Sequence, residues 1–443
     1  MIGPRPVIAV AAFISFPMTS SSTSGKFPCG PWNGCVFMRM DWRMWLVILL
    51  GWILNWVAFA PLEVAVHDEY HYATYCRFLS HDGLGKYPFL TSYYLEEMYS
   101  GAAVSAPPTR FAHLATAALC HVVTGIEEHR SLAVVSMVSS MLLLAWCAFF
   151  ASRILPSREA IAVVLLMACA PLRLHLGGKG LNDGFFTLWA MVSLGSLWFY
   201  LQPPNSRKWL ALYAASLLIL VMTKENSVFI WFAMVVLLVI APWIGLSRPT
   251  AAAWRTTILA PMVAVTLLVL LAGGWGRFVE IYTAFVVKGN RNAFTVLTGD
   301  GPWYRYWLDL FMLSPLVVLL CFAGLGGLRL HQRPLVYLAC FMAATWLGML
   351  QLKYGGNLRY TAVWDFPMRV FVVVALAGWA ARFGSRQRVL FLVAVLAVSV
   401  QDLSQYYRIF MKHHVYEPTP EYMLRAMDVI KSVDDAREEL KSR

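Results

Sequence analysis

Two adjacent carboxylates lie in the run His67-Asp68-Glu69-Tyr70-His71-Tyr72, directly after the first long apolar segment of the chain. Ionisable side chains at the edge of a membrane are costly to desolvate, and those found there usually have a partner or a chemical task. The run therefore predicts a functional site at Asp68 and Glu69.

Composition places this site in an integral membrane protein. Of the 443 residues, 59% are hydrophobic and 14% are charged, and the mean hydropathy is +0.60, far from the soluble average. Apolar runs near the bilayer-spanning length recur along the chain, which predicts an all-α polytopic membrane protein of about 11 spans. The predicted spans are residues 44–61, 131–152, 159–174, 183–201, 209–222, 226–244, 256–274, 306–327, 334–351, 367–381 and 388–405.

The charge of the connecting segments predicts the orientation. Basic cytoplasmic turns follow the positive-inside rule and are expected at residues 153–158, 207–208, 248–255, 329–333 and 382–388. The alternate segments then face outwards: residues 62–130, 175–182, 275–305 and 352–366, with the turn at Lys224. We expect a multi-pass protein of the plasma (inner) membrane whose site faces outwards.

Three domains are predicted. Residues 1–43 are an N-terminal extension, disordered or produced by a mis-assigned start, residues 44–405 form the transmembrane domain, and residues 406–443 form a polar tail with a short helix. The outer loop 62–130 is too long for a turn, and long loops in compact proteins are usually functional. Within it, residues 67–80 and 107–125 are expected to form helices along the membrane surface.

Charge and cysteine content exclude other classes. The net charge of +12 is explained by the basic turns and by contact with anionic lipid headgroups, so nucleic acid is not implied. Eight cysteines lack metal-ligand spacing, which predicts neither a zinc site nor a disulfide framework. His67 and His71 flank the carboxylates, but loop histidines are more often hydrogen-bonded than ligating, so we predict no metal. No cofactor is firmly predicted, and a divalent cation is left open.

The segment Asp68-Glu69-x-x-Tyr72 resembles the signature after the first span in the protein O-mannosyltransferase and aminoarabinose-transferase family, integral-membrane glycosyltransferases of the GT-C fold. Given the predicted spans, every further match lies on one side of the membrane in either orientation. The further matches are Pro107-Pro108, Arg130, Asn182-Asp183, Thr223-Lys224, Gly301-Pro302-Trp303-Tyr304-Arg305-Tyr306, Arg359-Tyr360, Asp365 and Pro367.

The resemblance implies a GT-C type bundle that acts as a hexosyl- or pentosyltransferase. The sugar would pass from a polyprenyl-phosphate donor to an acceptor protein, lipid or glycan. Asp68 matches the family's catalytic aspartate and is the expected general base, while Glu69 would share the proton or orient the acceptor. Arg359, followed by Lys224 and Arg305, is expected to hold the donor phosphate, because guanidinium binds phosphate in a bidentate way and ammonium acts as a point charge.

Further residues complete the predicted site. Asp183 would position sugar hydroxyls or pair with one of the cations, and Tyr72, Trp303, Tyr304 and Tyr360 would bind substrate. Alternatives stay open: Lys224 and Glu225 can form a local ion pair, Arg359 can be a membrane anchor, and Trp303 can belong to an ordinary aromatic belt. A membrane transporter and a lipid-linked glycan ligase are the alternative functions.

Overall fold

The computed structural model describes residues 40–59, 68–100, 106–289, 296–297, 299, 301–352, 357–416 and 421–441. His67 and the predicted extension up to residue 39 lie outside the described residues. Regular structure in the described ranges is helical, without a strand.

The α-helices follow one another with short connections. In chain order they are α1 (Trp42–Ala58), α2 (Asp68–Asp82), α3 (Tyr87–Tyr99), α4 (Phe111–Thr124), α5 (Glu128–Ile154), α6 (Ser157–Ala168), α7 (Pro171–Gly177), α8 (Asp183–Tyr200), α9 (Arg207–Val221), α10 (Ser227–Ile240), α11 (Ala251–Leu271), α12 (Trp275–Gly289), α13 (Arg305–Leu313), α14 (Pro315–Gly326), α15 (Arg333–Met349), α16 (Asp365–Ala380), α17 (Gln387–Tyr406), α18 (Glu421–Ala426) and α19 (Val433–Lys441). A 3₁₀ helix, Leu358–Trp364, leads directly into α16.

Most predicted spans coincide with a helix, but the predicted number of spans is not confirmed. Among the described residues, three helical segments can cross a membrane by length and composition: Glu128–Ile154, Ala251–Leu271 and the run Leu358–Lys412, which is kinked at Phe383 and Gly384. A fourth is possible if α6 and α7, which are bent by 53°, form one span. Five shorter apolar helices accompany them: α1, α4, α10, α14 and α15. The protein is thus an integral membrane protein of apolar helices.

Besides the span 159–174, which is divided into α6 and α7, three predicted elements differ from the observed ones. The span 306–327 is interrupted at Ser314, whose extended φ of −142° precedes Pro315, a residue without a backbone donor. The helix expected over 107–125 begins only at Phe111, after Arg110, whose ψ of 47° is not helical. The tail helix is divided into α18 and α19 around Asp428, which has a positive φ of 54°.

Buried tyrosines join the parts of the first outer loop to one another. Tyr75 of α2 donates a hydrogen bond to the carbonyl of Ala106 at 3.1 Å, and Tyr87 of α3 donates one to the carbonyl of Pro108. Tyr72 and Leu132, the latter on α5, belong to the same buried cluster. The loop that carries the acidic pair therefore has a core of its own, which fixes the start of α2.

Close packing of α14 on α16 fixes the segment that precedes α16. A Cβ atom on Gly324 would lie 2.3 Å from the carbonyl oxygen of Phe371, so the two helix backbones touch at this glycine. Arg369, one turn into α16, is buried and pairs with Asp365 at 2.6 Å and Asp402 at 2.8 Å. These contacts hold the 3₁₀ helix that carries Arg359.

We expect Gly324→Ala to destabilise the protein by about 1–3 kcal/mol, because the added methyl group forces the helices apart. Gly326→Ala is the matched control, since a Cβ there meets no atom within 4 Å. Thermal unfolding followed by tryptophan fluorescence in detergent measures the difference. Equal melting temperatures for the two variants would contradict the close contact.

Candidate active site

A buried ion pair joins the start of α8 to the turn between α9 and α10. The Nζ atom of Lys224 donates to Oδ1 of Asp183 at 2.6 Å, and both side chains are 3% exposed. The same Nζ lies 4.6 Å from the centroid of the Tyr360 ring, within the range of a cation–π interaction. Three predicted site residues from distant parts of the sequence therefore meet at one point.

Arg359 extends this pair towards the acidic pair. Its Nη1 lies 3.5 Å from Oδ2 of Asp183 and its Nη2 lies 3.8 Å from Oδ2 of Asp68. Oδ1 of Asn357 accepts from both the backbone N–H (2.9 Å) and Nε (3.3 Å) of Arg359, which orients the guanidinium. Asp68, Asp183, Lys224 and Arg359 are called the charged cluster below.

The electrostatics of the charged cluster follow from burial. Two cations and two carboxylates taken out of water must compensate one another, since a lone buried charge is strongly destabilising. Burial lowers the pKa of Lys224, and the carboxylate of Asp183 acts in the opposite direction. Asp68 differs from the others because 30% of its side chain is exposed. It is the member of the cluster most open to a second substrate.

A second buried ion pair, which sequence reasoning missed, lies beside the charged cluster. Arg110 donates to both carboxylate oxygens of Glu225, with Nε 3.2 Å from Oε2, and also donates to the hydroxyl of Tyr72. Burial alone would raise the pKa of Glu225, but the adjacent guanidinium holds that pKa below its ordinary value. Lys224 and Glu225 thus turn to different partners, and the alternative of a local pair between them is wrong.

The two neighbouring carboxylates of α2 also face different surroundings. Oε1 of the buried Glu69 accepts the backbone N–H of Gly180 at 2.5 Å, while Asp68 faces Arg359. A Cβ atom on Gly180 would lie 3.2 Å from Cβ of Leu132 and 3.4 Å from Glu69 Oε1, so a larger residue would press on both neighbours. In this arrangement Glu69 anchors the start of α2 to the turn before α8.

Three predicted site residues lie in other surroundings. Trp303 and Tyr304 are 61% and 41% exposed, and within the described residues their ring contacts are with each other and, for Trp303, with Trp346. Arg305 is buried, with Nε 3.5 Å from Oδ2 of Asp309. These contacts do not join the three residues to the charged cluster.

A narrow cavity adjoins the charged cluster. Asp183, Lys224 and Tyr360 form its polar wall, with Asn226. Its remaining wall is apolar and is formed by Phe186, Phe229, Ile230, Met349 and Val363. At about 10 Å³ the cavity has room for about one water, and its polar wall is the Asp183–Lys224 ion pair.

Comparison with known proteins bears on the fold. No protein-family model matches this sequence, and no curated protein matches it significantly. Solved structures match in three dimensions, and the fold that they share with this chain is the GT-C fold of membrane glycosyltransferases, as the sequence motifs predicted.

Two of these solved structures are an ArnT and an archaeal oligosaccharyltransferase. ArnT from Cupriavidus metallidurans bound to undecaprenyl phosphate has a TM-score of 0.51 and 15% identity, with 86% of this chain and 74% of that chain covered. The apo oligosaccharyltransferase of Archaeoglobus fulgidus has a TM-score of 0.55 and 11% identity, with 86% and 57% covered. The chain thus spans little more than half of the archaeal enzyme.

We expect Glu225→Gln to destabilise the protein, because it leaves the guanidinium of Arg110 buried without a counter-charge. Breaking a fully buried pair costs about 3–5 kcal/mol. Since 21% of the Glu225 side chain is exposed, the cost should lie at or below the lower end of that range. Glu96→Gln on the exposed face of α3 is the control. Thermal unfolding measures both, and an unchanged midpoint for Glu225→Gln would show that the pair is not needed.

Proposed function

We propose that this protein is a glycosyltransferase that moves a sugar from a polyprenyl-phosphate donor to an acceptor on the outer face of the membrane. The observation that best supports this proposal is the charged cluster, in which Lys224 and Arg359 share the buried carboxylate of Asp183 next to the partly exposed carboxylate of Asp68. The fold supports this assignment, since it is shared with glycosyltransferases. Sugar, acceptor and membrane orientation are part of the proposal.

Lys224 and Arg359 are assigned to the donor phosphate. As the glycosidic bond breaks, the phosphate leaves with one additional negative charge, and fixed cations at that point stabilise the transition state. Lys224 forms part of the wall of the adjoining cavity, which must widen before an anionic head group reaches its ammonium. ArnT has been solved with undecaprenyl phosphate and the archaeal oligosaccharyltransferase with a dolichol-phosphate, which supports a lipid-phosphate donor here.

Asp68 is assigned as the general base. In the reaction the acceptor oxygen or nitrogen bonds to the anomeric carbon, its proton passes to the Asp68 carboxylate, and the bond from that carbon to the phosphate oxygen breaks. Arg359 lies against both Asp68 and Asp183, so it couples the base to the phosphate end of the site. Its interaction with Asp68 at 3.8 Å is long for a hydrogen bond, and a donor phosphate can therefore compete for it.

An apolar groove gives the donor's hydrocarbon chain a place near the cluster. The groove measures about 480 Å³ and is lined by Leu84, Gly85, Pro88, Phe111, Met222, Leu267, Leu270 and Leu271. Met222 precedes Lys224 by two residues, and its carbonyl accepts the backbone N–H of Ala112 at 2.8 Å. A prenyl chain in this groove would bring its phosphate towards the ammonium of Lys224.

The remaining predicted residues stay predictions. Glu69 is proposed to orient the acceptor through its hold on the start of α2, and Tyr72 and Tyr360 to border the substrates. Arg305, Trp303 and Tyr304 have no role in this proposal.

A lipid-linked glycan ligase is the second candidate, favoured by the fold similarity to the archaeal oligosaccharyltransferase. Donors that carry one sugar or an oligosaccharide distinguish the two.

We expect Asp68→Asn to lower transfer by about 10²–10⁴-fold, because the amide cannot accept the acceptor's proton. Donor binding should persist, since Lys224 and Arg359 are retained. Transfer of labelled sugar from a panel of polyprenyl-phosphate donors in proteoliposomes measures the first quantity, and retention of labelled donor measures the second. Full transfer by the variant would remove Asp68 from catalysis.

Arg359→Gln should weaken donor binding by about tenfold to a hundredfold, which corresponds to a hydrogen bond to a charged group of about 1.5–3 kcal/mol. Asp183 keeps Lys224 as its partner in this variant, so the fold should survive. Lys86→Gln is the matched control, because Lys86 is exposed and pairs with Asp82 at 2.8 Å. Equal donor affinity for wild type and Arg359→Gln would contradict the phosphate role.

A further inference from the structure

A second group of metal-ligating side chains lies at the opposite end of α2 from Asp68. It consists of His81 in the last turn of α2, His121 in the last turn of α4 and Glu128 at the start of α5. One ligand atom from each lies within 4.8 Å of the others. From residue 68 to residue 81 the helix rises about 20 Å. This group, called the His–His–Glu cluster below, is therefore separate from the candidate active site.

The turn between α4 and α5 brings two of the three ligands together. Gly125 has a left-handed φ of 71°, and its N–H donates to the carbonyl of His121 at 2.8 Å, which ends α4 with a conformation that favours glycine. Only Ile126 and Glu127 then separate Gly125 from the start of α5 at Glu128. Local backbone geometry thus positions His121 and Glu128, and α2 supplies His81.

Hydrogen bonding prepares His121 as a ligand. Its Nδ1 lies 2.7 Å from the carbonyl oxygen of Ile126. Because a carbonyl oxygen only accepts, Nδ1 carries the hydrogen and donates it, and the lone pair of the neutral ring is then on Nε2. Metal-ligating histidines typically have this arrangement, in which the second ring nitrogen donates to a backbone carbonyl or a carboxylate.

The carboxylate of Glu128 faces the same point. Its side chain is 11% exposed, and Oε1 lies 3.9 Å from Nε2 of His81. The ligand atoms that lie close together are therefore two imidazole nitrogens and one carboxylate oxygen.

We propose that His81, His121 and Glu128 bind a divalent transition metal, with Zn²⁺ as the expected ion. Imidazole nitrogen favours zinc, whereas magnesium and calcium prefer all-oxygen sites. Zinc with three protein ligands accepts a water as the fourth. Atoms that coordinate one zinc ion at about 2.0–2.1 Å lie closer to one another than the ligand atoms of His81, His121 and Glu128 do. The exposed side chain of His81, at 64%, is free to close that gap.

The bound metal would fasten the end of α2 to the α4–α5 hairpin. That helix begins with Asp68, so the metal would restrict motion of the helix that carries the proposed base. Arg77 competes for the same ligand, since its Nε lies 3.0 Å from Oε1 of Glu128 while its side chain is 71% exposed. The positive guanidinium beside this oxygen repels a metal cation. Removal of Arg77 should therefore tighten the metal site.

The test measures zinc on the full chain in detergent after chelator treatment and does not depend on transfer activity. Metal content after dialysis and competition with a chromophoric chelator give stoichiometry and affinity. We expect the wild type to retain one zinc, and His81→Ala and His121→Ala to bind at least tenfold more weakly. Arg77→Gln should bind more tightly. His129→Ala is the control, because that histidine is adjacent to the cluster but lies against Glu127 at 3.6 Å.

Thermal unfolding provides a second measurement. Zinc should raise the melting temperature of the wild type and of His129→Ala, but not that of His81→Ala, an exposed position whose replacement leaves the core intact. Equal zinc affinity in the wild type, His81→Ala and His121→Ala would overturn the proposal, since the zinc would then be bound adventitiously at other histidines. Weaker binding by Arg77→Gln would also overturn it.

Discussion

The proposed site depends on the two ion pairs that the carboxylate of Asp183 forms. It is buried at the start of α8 and pairs with Lys224 and Arg359, which come from segments about 40 and 175 residues further along the chain. Without that carboxylate, two cations would face each other in a poorly hydrated space, a costly arrangement. The buried carboxylate therefore allows the chain to hold two cations close together where a phosphate is expected to bind.

Much of the surrounding structure serves to hold these charges in place. Glu69 ties the start of α2 to the turn before α8, and Arg110 ties the first outer loop to Glu225, the neighbour of Lys224. On the other side, close packing at Gly324 fixes α16 and with it the 3₁₀ helix that carries Arg359. Charged groups in a fixed environment stabilise a developing charge without reorganising, and this is the main electrostatic contribution to catalysis.

The sequence predicted the parts of this arrangement that follow from length and polarity. Bilayer thickness fixes the length of apolar runs, so most predicted spans coincide with a helix. That Asp68, Asp183, Lys224 and Arg359 share one side of the membrane stays a prediction. Family motifs then identified the fold. The interruption at Ser314 was missed because the residues on both sides are apolar, and hydropathy does not distinguish a broken helix from a continuous one. Arg110 was missed because it belongs to no motif, and its partner is over a hundred residues away.

Side-chain direction was also beyond sequence reasoning. Asp68 and Glu69 are adjacent and read as one acidic pair, yet a helix turns successive side chains about 100° apart, so only Asp68 faces Arg359. The His–His–Glu cluster could not be predicted either, because its residues come from three helices and no spacing rule connects them. The sequence does contain Gly125, which permits the tight turn between α4 and α5 that brings His121 and Glu128 together.

The most direct test of the central claim is a structure of the protein bound to a polyprenyl phosphate in lipid nanodiscs. The account predicts phosphate oxygens within hydrogen-bond distance of the Lys224 ammonium and the Arg359 guanidinium, with Asp183 still paired to Lys224. A phosphate bound elsewhere, for example beside Arg305, while the charged cluster keeps its present contacts, would contradict it.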